Sequence, residues 1–361
     1  MALPQAQAGI LEIKPYKAGK SATKPTAAPI KLSSNENPYG CSPKAEQAYA
    51  EAAADMNRYP NAGCSAVRAA ISETYDIPTD NIICGAGSDE LLGLLVQAFA
   101  GEGDEVLYPE HGFLMYKIYA LGNGAIPIEA TETNLKTDVD ALLASVTERT
   151  KIVFLANPNN PTGSYISGAE LKRLRDGLPE HVVLAIDGAY AEYVEADDYS
   201  CGLDLATTTQ NTVMLRTFSK IYGLPAVRLG WAVGSDYIMD ILGRIRSPFN
   251  VTSAAQAAGA AAMRDTTWMY EQRDINNKAL VSLISEFQSL GLGVYPSVGN
   301  FILVELGSTE RANEVLKGLA AKDIYVRDVV AYKLPSCLRI SIGTDKENAT
   351  LMVAMRELID A

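Results

Sequence analysis

Between residues 81 and 233 the chain alternates short, continuous apolar runs with stretches of helical period. The runs fall at 81–84, 105–108, 125–129, 151–155, 182–187, 212–217 and 229–233, and they favour β-branched residues. Amphipathic stretches such as 90–100 and 169–178 separate several of them. A strand that is apolar at nearly every position, rather than at alternate ones, has both faces covered. Such strands interleaved with helices predict an α/β fold: a large, mostly parallel, seven-stranded sheet between helices. In sheets of this kind ligands lie beyond the carboxyl ends of the strands.

After residue 233 the pattern changes. Helical periods at 252–263 and 267–290 lead into strands at 301–305, 324–327 and 338–342, with helices at 309–322 and 346–359. This predicts a smaller α+β domain. The expected organisation is an arm and part of the small domain over 1–55, the large domain over 56–270 and the small domain over 271–361. No internal repeat or low-complexity tract interrupts it.

With 48% apolar and 20% charged residues, 361 residues can bury one large core and a second lobe. The formal net charge of −12 argues against nonspecific nucleic-acid binding, which needs a basic face. It also means that any anionic ligand must be met by particular Arg and Lys side chains. Five cysteines, widely spaced and without a C-x-x-C, predict free thiols rather than disulfides. Two histidines, His111 and His181, cannot build a histidine-rich metal site. No segment has a signal peptide's apolar core or the roughly 18 apolar residues of a membrane span. A cytoplasmic protein is expected, with no membrane or metal.

Three polar segments follow predicted strands. Thr217-Phe218-Ser219-Lys220 is followed eight residues later by Arg228. A lysine in a tight turn after a strand can be held where its amine loses its proton, as Schiff-base chemistry requires; a solvated surface lysine is the plain alternative. Asn157-Pro158-Asn159-Asn160-Pro161-Thr162-Gly163 could be a simple turn. Asp187, three residues before Tyr190, could be a plain helix cap. Upstream, Gly87-Ser88-Asp89 opens a helix directly after the strand at 81–84, so its backbone N–H groups can face an anion. Glu90 stands where a dinucleotide fingerprint needs its third glycine, which argues against that motif.

Together these segments resemble the fold-type I pyridoxal-phosphate aminotransferases, over nearly the whole chain from Asn35 onward. Within that group the chain is similar to the histidinol-phosphate aminotransferase family, through 34–40 (Ser-Asn-Glu-Asn-Pro-Tyr-Gly), Arg58-Tyr59-Pro60, 87–90 and 338–343 (Leu-Arg-Ile-Ser-Ile-Gly). The resemblance implies that Lys220 holds pyridoxal 5′-phosphate as a Schiff base and then moves the proton. It implies that Asp187 pairs with the ring nitrogen, and that Asn160 and Tyr190 bond the ring's phenolic oxygen. Gly87, Ser88, Asp89, Ser219 and Arg228 would take the phosphate. Tyr59 would reach it from the other subunit of a homodimer, or else pack at the lobe junction. His111 stands where the family often stacks a tyrosine on the ring, and is expected to serve as that platform. Arg339 and Arg327 would grip the anionic groups of histidinol phosphate and of glutamate or 2-oxoglutarate, with Tyr16 closing over the site. Broad aromatic aminotransferases and a decarboxylase of threonine phosphate remain open as relatives on the same scaffold. A cofactor-sensing transcription regulator does not fit, because only about 30 residues precede the first motif, too few for a DNA-binding domain.

Overall fold

The apolar runs become strands because they have helices to cover both of their faces. In the computed structural model, which describes residues 5–6, 9–16, 19 and 29–359, fourteen strands form. They are β1 (Ile30–Leu32), β2 (Ile82–Gly85), β3 (Glu105–Pro109), β4 (Ile126–Ala130), β5 (Glu132–Thr133), β6 (Lys136–Thr137), β7 (Thr150–Ala156), β8 (Val183–Asp187), β9 (Thr212–Thr217), β10 (Gly230–Gly234), β11 (Gly293–Tyr295), β12 (Phe301–Glu305), β13 (Ile324–Asp328) and β14 (Cys337–Ser341).

Seven of them make one sheet in the order β2-β10-β9-β8-β7-β3-β4. All run the same way except β10, which is antiparallel to both β2 and β9. Along β7 and β8 alternate side chains enter separate cores. Phe154 and Ala185 pack with Leu95, Tyr116 and Leu242, whereas Val153, Leu155, Leu184 and Ile186 pack with Leu171 and Leu174. This period-two division is what a sheet covered on both faces requires.

The small sheet has the order β1-β13-β14-β12-β11, and β1 joins it parallel to β13. Of the described residues before 56, only β1 adds a strand there. The helix Pro43–Ala52 instead packs on the helix Ser253–Arg264, beside the large sheet. The small core gathers Leu283, Phe287, Ile302, Val304, Leu319 and Met355. The long helix Thr266–Ser289 runs between the two sheets' surroundings, contacting β11 and β12 at one side and the turn Ala191–Tyr193 at the other. Four strands have no sequence expectation: β1, the hairpin strands β5 and β6, and the edge strand β11, each three residues long or shorter. Among the described residues, no helix is long and apolar enough to cross a membrane.

Candidate active site

The carboxyl edge of the large sheet faces the small sheet across a cleft of about 410 Å³. Each strand delivers chemistry at that edge. β2 ends before Gly87-Ser88-Asp89, β7 before Asn160, β8 at Asp187 and β9 before Ser219 and Lys220. Because β10 is antiparallel, its amino end lies at the same edge and brings Arg228 there. Tyr16, Ser88, Asp89, Asn160, Asp187, Tyr190, Ser219, Lys220, Arg228, Arg327 and Arg339 all line this one cleft.

Lys220 and Asp187 are its two central ionisable groups, and neither has an ion-pair partner among the described residues. Among the described residues, Lys220 Nζ donates only to the carbonyl oxygen of Ser34, at 3.2 Å. Desolvation first, then the charges of Arg339 and Arg228, bring its amine down to about 8. It is therefore far easier to deprotonate than an ordinary lysine. Asp187 is buried, and desolvation pushes its carboxyl up to about 6 against two hydrogen bonds that hold it down. Those bonds are Tyr116 Oη donating to Oδ2 at 3.0 Å and the Ala189 N–H donating to Oδ1 at 3.2 Å.

One end of the cleft is built for an anion. The helix Ser88–Phe99 starts after Gly87 with no side chain capping its first N–H groups. An uncapped amino end of this length, opening on a cleft, is a ready anion site. Gly87 has φ +85°, and a Cβ there would lie 2.4 Å from Nη2 of Arg228, so only glycine lets the guanidinium reach the loop. Arg228 Nη1 also donates to Ser219 Oγ at 3.4 Å. Ser219 Oγ in turn accepts from Thr217 Oγ1 at 3.0 Å. Asp89 lines the same end, its Oδ1 buried without a hydrogen-bond partner.

The opposite wall is cationic. Arg327 of β13 and Arg339 of β14 are directly opposed in register. Like charges so placed repel, and neither has a carboxylate partner among the described residues. Arg339 Nη1 donates to Asn160 Oδ1 at 2.5 Å and Nη2 to the carbonyl oxygen of Ser33 at 2.9 Å, while its buried Nε has no partner among the described residues. The Arg327 guanidinium lies 5.8 Å from the ring centre of Tyr16. Tyr190 Oη accepts from Asn35 Nδ2 at 2.9 Å, and its ring faces Lys220 Nζ at 5.7 Å.

One expectation is corrected. His111 does not line the cleft: its Nδ1 lies 2.8 Å from Oε2 of Glu132, and its backbone N–H donates to the same carboxylate at 3.2 Å. The aromatic side chain that does line the cleft is Phe113. The turn after β3 lets Gly112 N–H bond the carbonyl oxygen of Pro109 at 2.7 Å, which carries the chain past His111 before an aromatic can face inward. Tyr59 does not reach this chain's own cleft. It is 82% exposed and stacks on Phe249 with ring centres 4.5 Å apart. Phe113, Tyr116 and Asn35 are the site residues that sequence reasoning passed over. Asn35 stands within a quoted motif, and Phe113 two residues beyond the chosen histidine. Tyr116 carries only an apolar helical pattern.

The chain is similar to known proteins along most of its length. The family model "Aminotransferase class I and II" matches residues 27–355. The histidinol-phosphate aminotransferase of Rhodospirillum centenum is 47% identical over 362 residues, covering 100% of this chain and 98% of that one. That of Ruegeria sp. is 48% identical, covering 97% and 96% respectively. The crystal structure of histidinol-phosphate aminotransferase from Sinorhizobium meliloti in complex with pyridoxal 5′-phosphate superposes with a TM-score of 0.87 at 27% identity, covering 92% of this chain and 91% of that one. The family match over most of the chain and the full-length similarity agree: this chain belongs to the class I and II aminotransferases and, within them, to the histidinol-phosphate aminotransferase family.

Proposed function

We propose that this protein is a pyridoxal-5′-phosphate-dependent aminotransferase that interconverts histidinol phosphate and its keto counterpart, with glutamate and 2-oxoglutarate as the other pair, in histidine biosynthesis. The observation that carries the reading is the cleft's charge arrangement. A lysine and an aspartate sit between an uncapped helix end and two arginines, and none of these four side chains has an ion-pair partner among the described residues.

The residues fit the cofactor. Lys220, with an amine near 8, suits the aldehyde carbon. Asp187 suits a protonated ring nitrogen, since a buried carboxylate without a cation needs one. The Gly87–Asp89 amino end, Ser219 and Arg228 suit the phosphate. Asn160 and Tyr190 would bond the ring's phenolic oxygen, and Phe113 offers the apolar face that His111 does not. When bound, the cofactor supplies an electron sink for the bond at the substrate's amine-bearing carbon.

The chain's own groups do the rest. Nζ of Lys220 carries the proton to and from the substrate carbon; its lowered basicity lets it act in both directions near neutral pH. Arg339 and Arg327 orient the substrate's anionic groups, and their mutual repulsion is relieved when an anion arrives. Tyr16 over Arg327 narrows that mouth and helps exclude water. We further assign a homodimer in which Tyr59 acts in the partner subunit's site; its exposed ring, stacked on the exposed Phe249, supports this.

The test is a half-reaction. Cofactor-loaded enzyme is mixed with one amine at a time, and the loss of the bound cofactor's absorbance is followed. Fast loss with histidinol phosphate and with glutamate, and slow loss with phenylalanine, tyrosine and threonine phosphate, is expected. Equal or faster loss with phenylalanine or tyrosine would replace this reading with a broad aromatic aminotransferase.

A further inference from the structure

Tyr116 lies at the start of the helix Leu114–Gly122, on the face packed against the sheet, and no functional motif contains it. It is wholly buried. Its ring is stacked on Phe154 with centres 4.6 Å apart and planes 7° apart, and Phe113 meets it edge-on at 5.9 Å. A ring clamped in this way cannot follow a carboxylate that moves. Its hydroxyl has one protein acceptor, Oδ2 of Asp187, at 3.0 Å. The other oxygen, Oδ1, is held by the Ala189 N–H. Asp187 is thus fixed in rotation by two donors of different origin, one of them a side chain 71 residues away in sequence.

We propose that Tyr116 is a positioning residue for the aminotransferase chemistry: its clamped phenol keeps Asp187 ionised and oriented toward the ring nitrogen of the cofactor. The inference rests on the function proposed above. A phenol can donate to a carboxylate but gains little from a neutral carboxyl, so it selects the charged form. Burial raises the phenol's own pKa well above its usual value, so Tyr116 stays a donor and does not become a competing anion. The other groups around Asp187 do not replace it. Asp89, from the start of the helix Ser88–Phe99, opposes ionisation by its charge, and Lys220, after β9, favours it more weakly than Tyr116 does. Tyr190, in the same turn as Asp187, accepts from Asn35 Nδ2 and makes no hydrogen bond to Asp187 among the described residues, and Tyr199 donates to the carbonyl oxygen of Asn157.

The test is the affinity of the full-length apoenzyme for pyridoxal 5′-phosphate as a function of pH, for wild type and Tyr116→Phe. Phenylalanine keeps the ring and removes only the donor. A hydrogen bond to a charged group is worth roughly a factor of ten or more, so the acid-side loss of affinity should begin about one pH unit higher in the variant. The two curves should converge at alkaline pH, where Asp187 is ionised in both. Tyr116→Phe should have no further effect in an Asp187→Asn background. Superimposed curves, curves displaced equally at every pH, or an effect that persists in the Asp187→Asn background would each overturn the proposal; the latter two are what a merely structural role produces. If Tyr116→Phe does not fold, a fluorinated tyrosine at position 116, a stronger donor, should move the acid limb to lower pH, and no movement would overturn it. Wild type that binds the cofactor with Tyr116→Phe unchanged overturns this inference alone. Wild type that does not bind pyridoxal 5′-phosphate overturns the functional reading as well.

Discussion

Arg339→Lys separates charge from geometry at the substrate wall. The guanidinium has five N–H donors in a fixed plane. One goes to Asn160 Oδ1 and one to the Ser33 carbonyl oxygen, while the buried Nε–H has no protein partner. An incoming carboxylate or phosphate can therefore be gripped by donors that are already aimed, because the two protein contacts fix the plane. Lysine keeps the charge but has a single nitrogen with three donors. If it satisfies Asn160 and Ser33 it has one donor left for the substrate; if it serves the substrate it leaves a buried oxygen unpaired. Either way at least one charge-assisted hydrogen bond is lost, about 1.5–3 kcal/mol. That corresponds to a fall in kcat/KM of roughly ten- to 150-fold. The assay is kcat/KM measured separately for histidinol phosphate and for glutamate, since both must use the same wall. The cofactor should remain bound, because Lys220, Asp187 and the Gly87 cradle are untouched. Kinetic constants equal to wild type for both substrates would remove Arg339 from the site and refute the reasoning.

Other perturbations address the remaining parts. Lys220→Met should abolish turnover while noncovalent cofactor binding survives; normal turnover would end the assignment. Its pH dependence follows from linkage. The folded-state amine, near 8, lies below the ordinary lysine value of 10.5, so the unfolded chain binds more protons between these values and stability rises with pH across that window. The apoenzyme should thus melt at a higher temperature as Lys220→Met than as wild type at pH 7, with the gap narrowing above pH 8; a gap independent of pH contradicts the shift. Gly87→Ala places a methyl group against Arg228 at a positive φ and should weaken cofactor affinity at least tenfold, the loss of about one charged hydrogen bond, as read by cofactor titration. Lys220→Ala and Tyr59→Ala enzymes should each be impaired. Mixing their subunits should restore activity through sites that carry neither change, and no recovery in verified mixed dimers would place Tyr59 outside the partner's site.

The parts of this molecule that local chemistry can carry are readable from the chain alone. Runs such as 151–155 and 182–187 read as doubly covered strands because burial on both faces leaves no polar alternation, and the observed β7 and β8 differ from them by only a residue or so at each end. Lys220, Asp187 and Asn160 are legible because each follows or ends such a strand, and the carboxyl edge of a parallel sheet collects whatever lies there. Which distant side chains meet at that edge is a matter of the tertiary structure. Ser33 and Arg339 are 306 residues apart, and Tyr116 and Asp187 are 71 apart. The opposition of Arg327 to Arg339 depends on the register of two strands joined by the segment 329–336, which contains the helical turn Val330–Tyr332. The choice of Phe113 over His111 depends on how the chain leaves β3, and the fate of His111 depends on Glu132 in β5, a strand of two residues with no periodicity to announce it. Periodicity and turn chemistry act over a few residues, so they are written in the sequence. Register, loop exit angle and the pairing of buried polar groups arise only when separate elements compete for the same space, and only the folded chain shows the outcome.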